Sequence, residues 1–187
     1  MDVFSGRISS SGFSSGDRIV VGDWKESPLG SFTNIMLARA DGSRILISPS
    51  EKHAEYVSKL YNFEEVRILD LEITRDKRSI RIEGAGLSIR MSWGVSFAIP
   101  FWRPLWFIAT VENLLAKILY GTKTYGLTKD GRREWYSIRS ISRVSITDAS
   151  LDGKSLGERQ EFEISACFGF SEPPRKPSSV SLKSYID

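Results

Sequence analysis

The sequence predicts a mainly β fold of the α+β class, in which one curved, barrel-like antiparallel sheet packs with one long amphipathic helix and one short helix. Short segments of alternating apolar and polar residues recur along the chain, and turn-forming glycines and prolines separate them. Apolar residues recur with the period of an α-helix in two stretches of the sequence. About eight to ten strands are expected, and sheets of that size tend to curl or close because free edges favour aggregation. A two-layer α+β sandwich is the alternative.

Length and composition predict a single domain over residues 1–187, long enough to bury a sizeable core. The 26 basic and 23 acidic residues nearly balance, so no nucleic-acid partner is expected. Cys167 is the single cysteine, which excludes an internal disulfide and a cysteine-rich metal site and favours a reducing compartment. Because the N-terminus also lacks the pattern of a secretory signal, a cytoplasmic localisation is expected.

Strands are predicted wherever the alternation is clear, beginning with a hairpin of residues 32–40 and 44–48 across Asp41-Gly42. A second hairpin joins residues 122–127 to 134–138 across Lys129-Asp130-Gly131. The first 16 residues are rich in Ser and Gly, which leaves an irregular N-terminal arm or a weak first strand open. Further strands are expected within residues 17–24, 69–73, 79–93 with a bend at Gly84 and Gly86, 144–146, 162–170 and 179–186.

The short helix is predicted to start at Ser48-Pro49-Ser50-Glu51, which combines a capping serine, a proline and a following glutamate. It should run to about Tyr61. Its expected buried face consists of Ala54, Val57, Leu60 and Tyr61.

The long helix lies in an aromatic-rich stretch, residues 95–120, whose prolines and charged residues exclude a membrane span. Pro104 suits its first turn and Gly121 its C-terminal cap. The segment from Phe101 to Phe107, with Trp102 and Trp106, either closes the sheet core, covers a cavity mouth, contacts a partner or lies at a membrane surface. A stripe predicted to pack on an apolar surface consists of Phe107, Val111, Leu114, Leu115 and Ile118.

The densest polar group in the sequence starts the strand after the second hairpin. Successive strand side chains point to opposite faces, so Glu134 and Tyr136 share one face and Arg133 and Trp135 the other. If the first face lines a cavity, its carboxylate and phenol can orient a polar ligand head or act as acid and base. Otherwise Glu134 pairs with an arginine at the sheet rim and Tyr136 is core. The candidate ligand-binding residues are Arg133, Glu134, Trp135, Tyr136, Trp102 and Trp106.

The sequence does not contain the residue patterns that a metal site, a nucleophilic catalytic site or a dinucleotide site requires. His53, the only histidine, has no companion metal ligands and no nucleophile near it in sequence. The glycines of Gly84-Ala85-Gly86 do not open a helix after a strand, so they do not predict a dinucleotide site. No metal and no cofactor are expected.

Several short motifs resemble known proteins. Ser27-Pro28-Leu29-Gly30, Ile47-Ser48-Pro49-Ser50, residues 61–66 and residues 131–136 look like a group of uncharacterised actinobacterial proteins over most of residues 18–172, a likeness that implies no function. Ser27-Pro28-Leu29-Gly30, after a strand with Trp24 and Glu26, is also faintly similar to the start of acetoacetate decarboxylase-like proteins. That resemblance implies a curved β-barrel or cone around a cavity and a Schiff-base lysine. The family's Gly-x-Pro-Lys surroundings are absent, and neither Lys52 nor Lys59 matches the lysine.

Three functional hypotheses follow. The first is a module that binds a small, largely apolar ligand in the curved sheet. The second is an interaction module whose Phe101 to Phe107 surface docks on a protein, a second copy in a homodimer, or a membrane surface, and it predicts an exposed apolar patch. The third is an acetoacetate decarboxylase-like lyase or a hydrolase acting on a small acid, with Glu134 or a lysine as the reactive group. It predicts a pocket that holds a group with a perturbed pKa.

Overall fold

The computed structural model describes residues 1–99, 102–163 and 166–187. Within these residues, strands that make up about half of the chain form a curled, half-barrel mixed sheet, and the fold is α+β with two helices. The strands of the described residues are β1 (Asp2–Phe13), β2 (Arg18–Glu26), β3 (Phe32–Ala38), β4 (Arg44–Ser48), β5 (Glu65–Ile68), β6 (Glu72–Asp76), β7 (Ser79–Gly84), β8 (Leu87–Trp93), β9 (Phe97–Ala98), β10 (Tyr125–Leu127), β11 (Arg133–Leu151), β12 (Lys154–Ser155), β13 (Arg159–Gln160) and β14 (Ser178–Ile186).

The sheet runs in the order β5-β4-β3-β2-β1-β14-β11-β8-β7-β6. Its ladders are antiparallel except for β4 and β5, which are parallel because helix α1 (Glu51–Leu60) connects them. The 19-residue strand β11 pairs with β14 along its first part and with β8 along its second. The sequence predicted two separate strands here. Register shifts after Ile138 and Val144 instead let one continuous strand bend, and this bend curls the sheet.

One face of the curled sheet is turned inward and filled with side chains. Strands β2, β3 and β4 supply Ile19, Val21, Ile35 and Leu37 among others, and these pack against residues of β7 and β8 such as Ile82. Arg75 of β6 also reaches across to Asp23 of β2, with a nitrogen to oxygen distance of 2.7 Å. The space between the two ends of the sheet is therefore a packed core.

The opposite face of β1, β2, β3 and β14 is covered by the helices. Helix α1 buries Ala54, Val57 and Leu60 there, as its pattern predicts, against Phe4 and Leu46. Alternate residues of each strand thus serve two separate apolar regions, a packed core on one side and a helix-covered region on the other.

The N-terminal residues form a central strand and not an irregular arm. Strand β1 lies between β2 and β14, so both of its edges are hydrogen-bonded. Small side chains make this position possible: a Cβ atom on Gly6 would overlap the backbone of Asp23 and Trp24, and Ser9 hydrogen-bonds Ser179 at 2.7 Å between hydroxyl oxygens. Serine and glycine here reflect close strand packing and not disorder.

Both predicted hairpins are confirmed. Strands β3 and β4 pair across the Asp41-Gly42 turn, and β10 pairs with β11 across Gly131. Gly42 and Gly131 have φ values of 88° and 85°, in the left-handed region that glycine adopts without strain.

The strand predicted within residues 162–170 is absent from the described part of that segment, residues 162–163 and 166–170. Ile164 of that set lies outside the described residues, and the Cys167 side chain is exposed. Side chains hold it instead: the Phe168 backbone N–H donates to Glu172, and Glu172 is ion-paired with buried Arg18 at 2.5 Å. The Arg18 guanidinium lies over the Phe162 and Phe168 rings, 4.7 and 4.9 Å from their centroids. Two of the alternating aromatic residues, Phe162 and Phe168, therefore pack on the Arg18 guanidinium and do not belong to a strand.

The long helix α2 spans residues 105–120, with α-helical ends (Leu105–Phe107 and Asn113–Tyr120) and a π-helical turn between them (Ile108–Glu112). Pro104 and Gly121 flank it as predicted, and Gly121 has a φ of 67°. The predicted packing of the apolar stripe holds only in part: Phe107 is half-buried, whereas Val111, Leu114, Leu115 and Ile118 are exposed, Ile118 to 70%. A π turn holds more residues than an α turn, so the side chains beyond it are rotated. Within the described residues, no helix is long and apolar enough to span a bilayer.

Candidate functional site

A cavity of about 430 Å³ lies on the helix-covered face of the sheet. Its floor is formed by β1, β2, β3, β14 and the first part of β11, and its walls by α1, α2 and residues 168–174. Most of the lining is apolar, for example Phe4, Ile8, Val20, Val180 and Leu182. The cavity therefore lies outside the packed core of the curled sheet, with its own set of alternate strand residues.

One buried polar cluster interrupts this apolar lining. Glu134 of β11, 1% exposed, accepts a hydrogen bond from the Ser184 hydroxyl of β14 at 2.7 Å. The Tyr61 hydroxyl, at the end of α1, lies 2.9 Å from both carboxylate oxygens of Glu134. The Tyr136 hydroxyl lies 3.0 Å from that of Tyr61. Two hydroxyl groups, from Ser184 and Tyr61, thus bind the carboxyl group directly, and the Tyr136 hydroxyl joins the cluster through Tyr61.

Burial raises the pKa of Glu134 to about 7, although hydrogen bonds from Ser184 and Tyr61 favour the charged form. Burial, with the nearby Glu134 charge, also raises the pKa of Tyr61 and Tyr136 well above the ordinary value, so both phenols stay protonated. Glu134 is the member of the cluster that changes charge near neutral pH.

The protonation state of Glu134 sets the direction of the hydrogen bonds. When the carboxyl is ionised, Tyr61 donates to it and Tyr136 donates to the Tyr61 oxygen, so both tyrosine protons are used. When Glu134 is protonated it can donate to Tyr61, which turns its own proton toward Tyr136. The Tyr136 hydroxyl is then free to donate to a ligand in the cavity.

The other charged groups that line the cavity are mostly paired. Arg103 is bound to Glu112 at 2.7 Å and donates to the Ile138 carbonyl oxygen, which ties α2 to β11. Burial raises the pKa of Glu112 and of Glu172, although each faces an arginine. Among the described lining residues the single lysine is Lys123, which is exposed.

The structure separates the six candidate residues chosen from the sequence. Glu134 and Tyr136 line the cavity. Arg133 is exposed, and its guanidinium lies over the buried Trp135 ring, 5.4 Å from the centroid, on the other face of β11. Neither residue belongs to the cavity lining. Trp102 and Trp106 also lie outside the lining and are 77% and 66% exposed. Phe101 lies outside the described residues.

Two members of the cluster were not identified from the sequence. The sequence pattern predicts Tyr61 only as part of a buried helix face, and it places Ser184 in the last strand without a role in a site. A signal for Ser184 exists, because it interrupts a row of alternate apolar residues in β14, Val180, Leu182 and Ile186, that line the same cavity. A single hydroxyl in such a row indicates a buried polar partner.

Metal ligands are not grouped in the described part of the chain: no cluster of three or more His, Cys, Asp or Glu side chains could hold an ion there. The His53 Nδ1 atom lies 2.7 Å from the Ser50 hydroxyl, and its ring packs on Phe32, with 4.4 Å between centroids. His53 is not part of the cavity lining.

No protein-family model matches the sequence, and no curated protein sequence matches it. A solved structure of acetoacetate decarboxylase from Legionella pneumophila subsp. pneumophila str. Philadelphia 1 is similar, with a TM-score of 0.43 and 8% sequence identity over 99% of this chain and 84% of that chain. The faint resemblance to acetoacetate decarboxylase-like barrel proteins is thereby confirmed. A likeness at this level carries no argument about activity.

Proposed function

We propose that the protein binds a small, largely apolar molecule in the cavity, with an uncharged polar end of the ligand at Glu134, Tyr61 and Tyr136. The observation that carries this proposal is the buried carboxyl cluster within otherwise apolar walls. Ligand sites typically combine an apolar lining with a few convergent polar groups that fix orientation.

The cluster favours an uncharged polar end for two reasons. The cationic side chain deep in the lining, Arg103, is already ion-paired with Glu112, so of the cations in the described lining only exposed Lys123 could balance an anionic group of a ligand beside Glu134. A hydroxyl group, by contrast, can donate to the Tyr136 oxygen when Glu134 is ionised and accept from the Tyr136 hydroxyl when Glu134 is protonated, whereas a carbonyl group can accept in the protonated state.

A second candidate function is acid–base catalysis by Glu134. The observation that favours it is the pKa of about 7, which suits a group that gains and loses a proton near neutral pH. A Schiff-base mechanism would need a lysine, and Lys123 is the lysine that lines the described cavity. Borohydride treatment with acetoacetate would attach the substrate carbons covalently to Lys123 in a lyase and leave a binding module unlabelled.

Fluorescence titration with N-phenyl-1-naphthylamine, a neutral apolar probe with one N–H group, tests the binding function. We expect saturable binding of one probe per chain. Ala116→Trp fills the cavity from the α2 wall and should weaken binding by roughly tenfold or more, about 1.4 kcal/mol. Ala109→Trp is the matched control, because Ala109 is in the same helix but outside the lining. Equal affinity in both variants would contradict the proposal.

A further inference from the structure

Helix α2 presents an exposed apolar surface beside the cavity. This α2 surface consists of Trp102, just before the helix, and of Trp106, Leu114, Leu115, Ile118 and Leu119 in it, all exposed. Leu114 with Ile118 and Leu115 with Leu119 are one turn apart and therefore adjacent along the helix. An apolar area of this kind on a protein surface marks a place where something else binds.

The charged residues near the α2 surface in sequence are mostly basic. Residues 95–129 contain one acidic residue, Glu112, and it is ion-paired with Arg103. Lys117 and Lys123 are exposed, and Lys117 lies on the helix directly before Ile118. The surface thus combines exposed tryptophans and aliphatic side chains with lysines, the composition of helices that lie in the interface of anionic membranes.

A lipid surface fits this arrangement better than a second copy of the chain does. A twofold contact through Leu114 and Ile118 would bury Lys117 of each copy without an acidic partner from this segment. At a bilayer, the lysine stem can lie along the apolar region while its ammonium group reaches the lipid phosphates. The tryptophan rings likewise suit the level of the headgroups.

The mouth of the cavity opens at the same place. Leu115, Leu119 and Tyr120 line the cavity and are also exposed, as is Phe97 of β9, so the cavity has an opening along α2. Leu115 and Leu119 therefore belong both to the cavity wall and to the α2 surface. An apolar molecule that leaves the bilayer at this helix would reach the cavity without crossing water.

We propose that the α2 surface docks the protein on an anionic lipid bilayer, with the mouth of the cavity against the membrane, so that the ligand is taken from or delivered to lipid. The docking part of this proposal is supported by the exposed apolar residues of the α2 surface and the charges near them, independently of ligand binding. The transfer part rests on the proposed binding function.

Vesicle flotation tests the docking. The wild-type protein should float with vesicles of phosphatidylcholine and phosphatidylserine, float less with phosphatidylcholine alone, and lose binding as salt is raised. Leu114→Glu with Ile118→Glu should lower partitioning by roughly a hundredfold. Val66→Glu with Ile146→Glu, which changes two exposed apolar residues on other elements, is the matched control and should float like wild type.

Failure to float, or equal flotation of the two double variants, overturns the docking proposal. A homodimer without vesicles that only the α2 variant abolishes also overturns it, in favour of a second copy. The naphthylamine titration without vesicles separates the two proposals, because both double variants leave the lining at Glu134 intact. Flotation without probe binding would contradict the transfer part and the binding function, whereas probe binding without flotation would contradict docking and the transfer that depends on it and leave the binding function standing.

Discussion

At the scale of single residues, Glu134 shows what a strand pattern can and cannot predict. Alternation was sufficient to place Glu134 and Tyr136 on one face of a strand. It could not predict that Tyr61 and Ser184 meet that face, because they are 73 and 50 residues away in sequence and come together through sheet order. A cluster assembled from distant elements leaves only weak local signals, such as a serine within an apolar row.

The raised pKa of Glu134 makes stability depend on pH. The carboxyl titrates near 4.5 when the chain is unfolded and near 7 when it is folded, so between these values the folded chain binds the extra proton. The free energy of unfolding should therefore fall as pH rises through this window, by about 3 kcal/mol from this group. Glutamine does not titrate, so in the Glu134→Gln variant the free energy of unfolding should fall by about 3 kcal/mol less over the same pH range.

Chemical denaturation of wild type and Glu134→Gln across this pH range measures the difference. Glu112 and Glu172 also have a raised pKa and contribute a decrease of the same sign in both proteins, so only the difference between them reports on Glu134. Parallel pH profiles would contradict this account, because they would mean that Glu134 has the same pKa in the folded and the unfolded chain.

At the scale of elements, the parts predicted correctly are those that local chemistry determines. The Asp41-Gly42 and Gly131 turns and the proline and glycine that flank α2 depend on backbone conformations near in sequence. Local chemistry does not determine the direction in which the apolar stripe of α2 faces. A periodic pattern defines a stripe but not what covers it, and the π turn changes which side chains share a face.

Two substitutions in α2 test the observed orientation. Ile108 is 0% exposed, and its carbonyl oxygen accepts a hydrogen bond from Thr124 at 2.9 Å. Ile108→Ala should lower the free energy of unfolding by about 2–5 kcal/mol. Ile118→Ala, the same change at an exposed position of the same helix, should alter it by less than about 0.5 kcal/mol. If Ile118→Ala lowered the free energy of unfolding by as much as Ile108→Ala in denaturant titrations, the stripe would pack inward, as its periodicity predicts.

At the scale of the whole molecule, one curled sheet serves two apolar regions. Its inner face is filled by residues such as Ile35 and Ile82, and its other face, with Val20 and Val180, leaves room for a cavity under the helices. The sequence predicted a curved sheet from strand number and edges, but not the bend in β11 or the side on which space remains. Both follow from strand order, which a single sequence does not specify.

The most direct test of the cavity as a ligand site is the position of bound N-phenyl-1-naphthylamine, read from intermolecular nuclear Overhauser effects to assigned methyl groups. The binding proposal predicts contacts from the naphthyl protons to Ile8, Val180 and Leu182 in the lining. Contacts only to Leu114 and Ile118, on the exposed surface of α2, would contradict it and leave the cavity without a demonstrated occupant.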